Sequence, residues 1–281
     1  MSEVESRTHA YHAEATLFEG HLNLPLVQAI KPQAHAKLPE HGGYLSQRLE
    51  DYRLESVVSI RSGYTQVAGN REVKPGHGWA TLATSVVEGL NVMDVLTADR
   101  VVCQISTEHP LEGYVPSISF LGTRFENLRI AGHPVDLDLD LGILGSTPEN
   151  DAPYTTDAAL LERVAKQYDR DLKTDGLPDE LAERYNRLSS TLGAPEAVEC
   201  SLVNRATGAY PGSSYGHVID VPNFGKIILA RVSLRHDDFK AVSGIPMRTT
   251  LNLTMIELKL GCVIGGGGVI GSGSTNGKSQ P

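Results

Sequence analysis

The sequence predicts a mainly β protein, an antiparallel β-sandwich or jelly roll with one inserted helical hairpin. Apolar and polar residues alternate through several short segments, and this period of two is typical of strands. Turn residues separate these segments at intervals of roughly 8–12 residues, a spacing typical of sandwiches and barrels. Residues 148–199 instead show the spacing of amphipathic helices. We therefore expect one β domain that is interrupted once.

The clearest strand pattern lies in residues 78–106. Small and β-branched side chains alternate through residues 80–87, and the alternation returns in residues 101–106. The β-branched residues and Gly89 would weaken a helix here. Because Glu88 and Gly89 can turn the chain, this stretch predicts two or three short strands that are adjacent in sequence and pair antiparallel.

The β domain is predicted to comprise residues 15–147 and 200–262. Residues 1–14 are polar and are expected to be loose, and the prolines and glycines of residues 31–50 predict a loop. Later strands are predicted at 115–121, 124–130, 135–141, 227–234 and 249–260. In the last strand the apolar residues change from odd to even positions after Met255, which indicates a bulge or burial on both faces.

Residues 148–199 predict the inserted hairpin of two helices. Asp157 is a plausible N-cap of the first helix, and Pro178 suits the first position of the second. The apolar stripes of the two helices are Leu161–Val164–Tyr168 and Leu181–Tyr185–Leu188. Two short helices are marginal in water, so the hairpin must pack on something. We expect it to be an addition to the fold, which a linker can replace with a modest loss of stability.

Charge and composition restrict the classes of function. The formal net charge of the 281 residues is −9, and the hairpin, with twelve acidic and six basic residues, carries most of it. This balance argues against an electrostatic grip on nucleic acid or an anionic membrane, and it is typical of a solvated helix face. No segment approaches the ~20 apolar residues of a spanning helix.

The two ends of the chain carry weaker signals. The opening segment MSEVESRTHAYHAEA has neither the basic nor the apolar region of a signal peptide, so the sequence as given predicts either a cytoplasmic protein or one that is exported by another route. Residues 263–281 are rich in Gly and Ser and predict a flexible tail. The four glycines Gly265–Gly268 are followed by neither a helix nor Lys-Ser/Thr, so they do not predict a phosphate-binding loop.

Asp136, Asp138 and Asp140 alternate with leucines in a predicted strand. Their carboxylates would lie on one face, about 7 Å apart, where they would discourage pairing of an edge strand. The alternative is a hard-cation site, since Ca²⁺ takes several carboxylate oxygens. We predict no cofactor beyond this Ca²⁺ alternative or a transition metal bound by histidines.

The cysteines and histidines form no recognisable site motif. Cys103, Cys200 and Cys262 make no CxxC pair, so buried reduced thiols are expected. A Cys103–Cys262 disulfide is the alternative. The ten histidines, among them His77, His217 and His236, include no HxH or HxxxH pair. A jelly roll can still gather distant histidines into a site for Zn, Fe or Ni.

Parts of the β pattern resemble bacterial surface proteins of the choice-of-anchor type. The similar segments are Ala80 to Cys103, Phe125 to Val135, and the strand pair Gly225–Leu234 and Leu251–Leu260. The resemblance implies an exported, β-rich bacterial protein of unknown activity, and it supplies no catalytic residues. This chain departs from that group in lacking a leader peptide and in carrying the acidic hairpin.

These patterns predict a non-enzymatic β-sandwich protein with a binding, surface or structural role. It would act through self-association into a homo-oligomer or through a protein partner. The reason is that no acid, base and nucleophile converge in any recognisable motif. The alternative is a jelly-roll enzyme or metalloprotein whose His/Asp site is assembled from distant strands.

Overall fold

The computed structural model describes residues 8–25, 27–71, 78–194, 196–240, 244–261 and 264–280. The protein is mainly β, with antiparallel sheets and an inserted helical segment, as predicted. The helices are α1 (Ala158–Leu172) and α2 (Asp179–Ser190), preceded by 3-10 turns at Glu149–Asp151 and Tyr154–Thr156. The strands are β1 (Thr8–Ala10), β2 (Ala13–Leu24), β3 (Gln28–Gln33), β4 (Ala36–Lys37), β5 (Gly43–Leu54), β6 (Val58–Arg71), β7 (Trp79–Val92), β8 (Leu96–His109), β9 (Ser117–Ser119), β10 (Arg124–Glu126), β11 (Arg129–Ile130), β12 (His133–Pro134), β13 (Asp136–Leu139), β14 (Ala197–Ser201), β15 (Val203–Thr207), β16 (Ser213–Tyr215), β17 (Val218–Val221), β18 (Gly225–Phe239), β19 (Pro246–Gly261) and β20 (Gly265–Gln280).

The strands form two large sheets and one small one. Sheet A has ten strands in the order β16-β17-β18-β19-β20-β2-β3, with β1 also paired to β20, β14 to β18 and β4 to β2. Sheet B has eight strands in the order β12-β11-β8-β7-β6-β5, with β9 and β10 also paired to β8. Strands β13 and β15 pair separately.

Sheets A and B pack face to face as a sandwich. Strand β2 contacts β6 and β7, and β20 contacts β7 and β8. One apolar cluster joins buried residues of both sheets, among them Phe18, Leu253, Val87 and Ile105. Full burial of such a side chain contributes about 1.5–3 kcal/mol each, so this cluster is the main source of stability. A smaller cluster surrounds Tyr11 and Trp79.

In four neighbouring strands of sheet A, the alternation between core-facing and outward-facing side chains shifts by one residue, and the four shifts lie side by side at one level across the sheet. The residues at this level are Leu17, Gly271, Met255 and Ala230, which lie between regularly paired positions. Gly271 and Ala230 have φ of +63° and +44°. One extra residue in each strand at this level changes which positions face the core. Leu253, at an odd position before the level, and Leu258, at an even position after it, are therefore both buried. This irregularity explains the odd-to-even change seen after Met255 in the sequence.

Sheet B has the same irregularity. Its level contains Asp51, Arg61, Gly89 and Asp99, with φ of +48° at Asp51 and +62° at Gly89. The turn predicted at Glu88 and Gly89 is therefore wrong. Gly89 shifts the phase of a continuous 14-residue strand, β7, which pairs antiparallel with β8.

The helices pack into the same core as the sheets. The carboxylate of Asp157 caps α1 as predicted, accepting a hydrogen bond from the Leu160 backbone N–H at 2.8 Å. Pro178 is the N-cap of α2 rather than its first helical residue. The buried side chains of the insertion that join the main core are Tyr154, Leu160, Val164, Tyr168, Leu181 and Tyr185. The first stripe is thus centred on Leu160 and not on the half-buried Leu161.

The predicted flexible tail is wrong. Residues 265–280 form β20, which lies between β19 and β2 in sheet A. Its glycines let the sheets approach closely: a Cβ at Gly273 would lie 3.3 Å from Cys103 Sγ and 3.4 Å from Ile105 Cδ1. A composition typical of linkers therefore serves tight packing.

The N-terminal region also contains more strand than predicted. Residues 8–10 form β1 and β2 begins at Ala13, within the segment expected to be loose, while residues 1–7 lie outside the described residues. Strand β5 begins at Gly43, inside the predicted loop of residues 31–50. None of the helices in the described ranges is long and apolar enough to cross a membrane.

Candidate functional site

The outward face of sheet A is covered by rows of small polar side chains. One row crosses five adjacent strands through Glu14, Ser274, Asn252, Ser233 and Glu199. Alternation produces this row, since residues such as Val232 and Leu253 between these positions point into the core. The row offers hydroxyl, amide and carboxylate groups side by side.

A second polar row lies beside the first. It runs through Thr16, Ser272, Thr254 and Arg231. Serine and threonine are short, so the middle of the sheet face is lower than its flanks. The face is concave there, with a depression of about 380 Å³ lined by residues of both rows.

Two further depressions join the first at Arg231. One, of about 580 Å³, is lined by Glu19, Glu257 and Lys259, and another, of about 400 Å³, lies against α2. We call the combined depression the Arg231 groove. Its boundary is marked by Glu14, Glu19, Glu199, Glu257, Lys259 and Arg184.

Most of the charges in the Arg231 groove are paired within the protein. Arg231 Nη2 lies 2.9 Å from Glu257 Oε2, and Arg184 Nη2 lies 3.2 Å from Glu199 Oε2. At the rim, Lys226 binds Glu180, and this hydrogen bond together with the lysine charge lowers the pKa of Glu180. The groove therefore presents polar groups whose charges largely compensate each other.

A second polar cluster lies where α1 meets the turn between β16 and β17. Asp171 is buried, and its Oδ1 accepts a hydrogen bond from Arg170 Nε at 3.0 Å. Its Oδ2 has no hydrogen-bond partner within the described ranges and lies 3.8 Å from Nδ1 of buried His217. Gly216, at φ +66°, permits this approach, because a Cβ there would lie 2.2 Å from Asp171 Oδ2.

This cluster adjoins a cavity of about 510 Å³. Asp171 lines the cavity together with Asp138, Arg170 and Arg205. His217 is not among the described residues that line it. A carboxylate beside an imidazole is a common acid–base arrangement, but 3.8 Å is longer than a hydrogen bond. Burial, and then the charge of Asp171, raise the pKa of the nearby Tyr185 hydroxyl.

The three aspartates of the candidate cation site make separate contacts in the structure. Asp136 and Asp138 lie on β13, the register shifts after Asp138, and Asp140 follows the strand. Asp138 accepts a hydrogen bond from Asn204 Nδ2 at 2.8 Å, and Asp140 accepts one from the Gly142 backbone N–H at 3.0 Å. Within the described residues, no group of three or more His, Cys, Asp or Glu side chains is placed to hold a metal ion. The three carboxylates are thus not brought together.

Three other histidines, of which His109 and His236 are buried and His9 is half-buried, are kept neutral by their surroundings. His236 Nε2 accepts a hydrogen bond from the Tyr154 backbone N–H at 3.0 Å and joins the 3-10 turn to β18. His9 stacks on Trp79, with ring centroids 5.2 Å apart, and lies beside His109. Burial lowers the pKa of His9 and His236 to about 4. Burial, and then the charge of His9, lower that of His109 to about 3. His77 lies outside the described residues.

These histidines predict a loss of stability in mild acid. Unfolded histidine binds its proton near pH 6.5, whereas folded His9 and His236 do so near pH 4. Between these values the unfolded chain binds more protons, so stability is full above pH 6.5 and falls as the pH is lowered towards 4. Urea unfolding across this range should show a steady decrease in the free energy of unfolding. A His236→Gln variant should show a shallower decrease, and equal stability at both ends of the range would contradict the prediction.

The two cysteines among the described residues match the prediction of buried thiols. Cys103 and Cys200 are buried and free, and burial raises the pKa of Cys200 to about 12. Cys103 Sγ lies 3.7 Å from the carbonyl oxygen of Leu253. Cys262, its alternative disulfide partner, lies outside the described residues.

A comparison with protein families found a match that covers most of the chain. Residues 9–235 match the family model described as Domain of unknown function (DUF8256). The chain belongs to this family. The DUF8256 match includes both helices and ends within β18, before β19 and β20. Searches of curated proteins and of solved structures found no match.

Sequence reasoning missed the groove and the Asp171 cluster. The available signal was the polar alternation within strong strands, with Arg231 and Ser233 flanking Val232, and Asn252 and Thr254 flanking Leu253. It shows which side chains point outward. It does not show which strands are neighbours.

Proposed function

We propose that the protein is a non-enzymatic β-sandwich binding protein whose ligand lies in the Arg231 groove. The observation that supports this proposal is the meeting of three depressions at Arg231 on a sheet face made of hydroxyl, amide and carboxylate groups. Binding sites are typically concave and fix their ligands with a few placed polar groups. The groove has both properties.

The ligand class that fits the groove best is a neutral, hydroxyl-rich chain such as an oligosaccharide. An ionic ligand would compete with the pairs Arg231–Glu257 and Arg184–Glu199 and would have to break them. Neutral hydroxyls can instead donate to carboxylate oxygens and accept from Asn252 and the serines without breaking either pair.

Filling the groove is expected to weaken this binding. A Ser272→Leu, Ser274→Leu double variant removes two hydroxyls from the centre and places two larger side chains there. Each lost hydrogen bond costs about 0.5–1.5 kcal/mol, so the loss of two should lower affinity by about fivefold to 150-fold. Isothermal titration calorimetry against a panel of soluble oligosaccharides measures the effect.

Thr250→Leu is the matched control for this experiment. Thr250 lies on the same outward face of β19, one row away, and does not line the groove. It should bind as the unchanged chain does. If no oligosaccharide in the panel binds, or if the control loses affinity as strongly as the double variant, the proposed ligand class is wrong.

A bacterial surface role and self-association are further parts of the proposal. The resemblance of residues 80–103 and 125–135 to choice-of-anchor surface proteins supports export. The net charge of −9 and the compensated charges of the groove argue against a nucleic-acid partner. Both the resemblance and the charge are compatible with a homo-oligomer or a protein partner.

The alternative function is an enzyme or metalloprotein with a His/Asp site. One observation favours it, the buried Asp171–His217 pair beside a polar cavity. Metal analysis of the purified protein separates the two functions. Stoichiometric Zn or Fe would favour the alternative function, with the metal bound close to Asp171 and His217.

A further inference from the structure

Strand β5 is a long open edge of the sandwich. It is the last strand of sheet B and pairs, among the described strands, with β6 alone over its 12 residues. The other ends of the two sheet paths, β12, β16 and β3, are two, three and six residues long, and β12 and β3 contain proline. Short strands and prolines protect a sheet edge from further pairing. Strand β5 has neither form of protection.

The core beneath this edge is incompletely covered. Leu45 and Leu49 point towards the two apolar clusters but are only half-buried. On the other face of the strand, Tyr44 has 63% of its surface exposed. An additional strand beside β5 would complete the burial of both leucines.

The sequence of this edge is complementary to itself. Residues 43–50 precede the phase shift at Asp51, and their charged residues, Arg48 and Glu50, balance each other. Two copies paired antiparallel about Gln47 would place Leu45 opposite the Leu49 of the other copy, twice. Tyr44 would stand opposite Glu50, where its hydroxyl can donate to the carboxylate. The two Gln47 amides would face each other on the twofold axis.

We propose that β5 is a self-association interface through which two copies of this chain pair antiparallel, so that sheet B continues across a dimer. This inference rests on the self-association part of the proposed function and gives it a location. It is independent of ligand binding, because the Arg231 groove lies on sheet A.

Substitution at the twofold axis tests the proposal. Gln47 is exposed, so Gln47→Glu and Gln47→Lys leave the monomer intact. Each variant places like charges opposite each other, and each should weaken dimerisation by about fivefold. An equimolar mixture of the two variants pairs opposite charges and should return the dissociation constant to within about threefold of the unchanged chain. Analytical ultracentrifugation measures all four samples.

Gln28→Glu and Gln28→Lys, on the exposed edge strand β3, are matched controls and should dimerise like the unchanged chain. An unchanged chain that is monomeric throughout the micromolar range would overturn the proposal. So would Gln47 variants that dimerise normally, or a mixture as weak as its components. Oligosaccharide binding is measured on the same Gln47 variants and should be retained. Its loss in a sample that still dimerises would count against the groove and not against the interface.

Discussion

A chain that ends at Gly261 is expected not to fold. The truncation removes β20, which hydrogen-bonds to β19 on one side and to β2 on the other. Strands β2 and β3 would lose their connection to the rest of sheet A, and unpaired backbone groups would remain on both sides of the gap. The buried Ile270 is lost as well. Far-UV circular dichroism with thermal melting should show no cooperative β transition.

Two point variants test whether the tight packing of β20 against sheet B contributes to stability, in addition to its hydrogen bonds within sheet A. Gly273→Val keeps the strand but forces a side chain against Cys103 and Ile105, which should cost about 1–3 kcal/mol. The neighbouring Ser272→Val lies on the outward face and should change stability by less than about 0.5 kcal/mol. A truncated chain that melts cooperatively within a few degrees of the full chain would show that residues 262–281 are a dispensable tail.

The strands and helices were predictable where hydrophobic periodicity is strong. Residues 80–87, 227–234 and 249–260 are rich in apolar and β-branched side chains at strand spacing, and the alternation holds on each side of the phase shift at Ala230 and Met255. Asp157 was predictable as a cap because its carboxylate satisfies a free N–H group at the start of α1. Local chemistry decides such features, so one sequence is enough to find them.

Strand β20 was not predictable in the same way. A glycine in a linker and a glycine under a crowded side chain look alike in sequence. The difference at Gly273 lies in Cys103 and Ile105, side chains of another sheet. The phase shift was half predictable, because the change after Met255 is visible, but its alignment with Gly271 and Ala230 depends on strand order.

The candidate sites depend even more on strand order. Arg231 meets Glu257 because β18 and β19 pair in a particular register, and Asp171 meets His217 because a helix packs against a turn. The sequence showed His217 as a histidine outside any motif, and nothing near it in the sequence indicated that it would lie beside Asp171. The aspartates at 136, 138 and 140 show the converse, since their regular spacing in the sequence does not produce a metal-binding group among the described residues.

Replacing residues 150–195 with a short Gly/Ser linker is expected to prevent native folding. Six large side chains of this segment lie in the main core, and each contributes about 1.5–3 kcal/mol. Their sum is comparable to the whole stability of a typical domain, about 5–15 kcal/mol. Gln167 adds a clamp: its amide donates to Ser201 O and accepts from the Ser201 N–H, both at 2.9 Å, which ties α1 to β14. Loss of the cooperative β transition in a thermal melt is the expected result.

This outcome is more severe than the modest loss that the sequence alone suggests, and a pair of adjacent leucines tests the reason. Leu160→Ala empties a fully buried position and should cost about 2–5 kcal/mol. Leu161→Ala changes a half-buried one and should cost clearly less. Equal effects, together with a linker variant that retains its β signal, would mean that the helical hairpin is an addition to the sandwich. Unequal effects with a failed linker variant would mean that α1 supplies part of the layer that covers β14 and β18, so that the core cannot close without it.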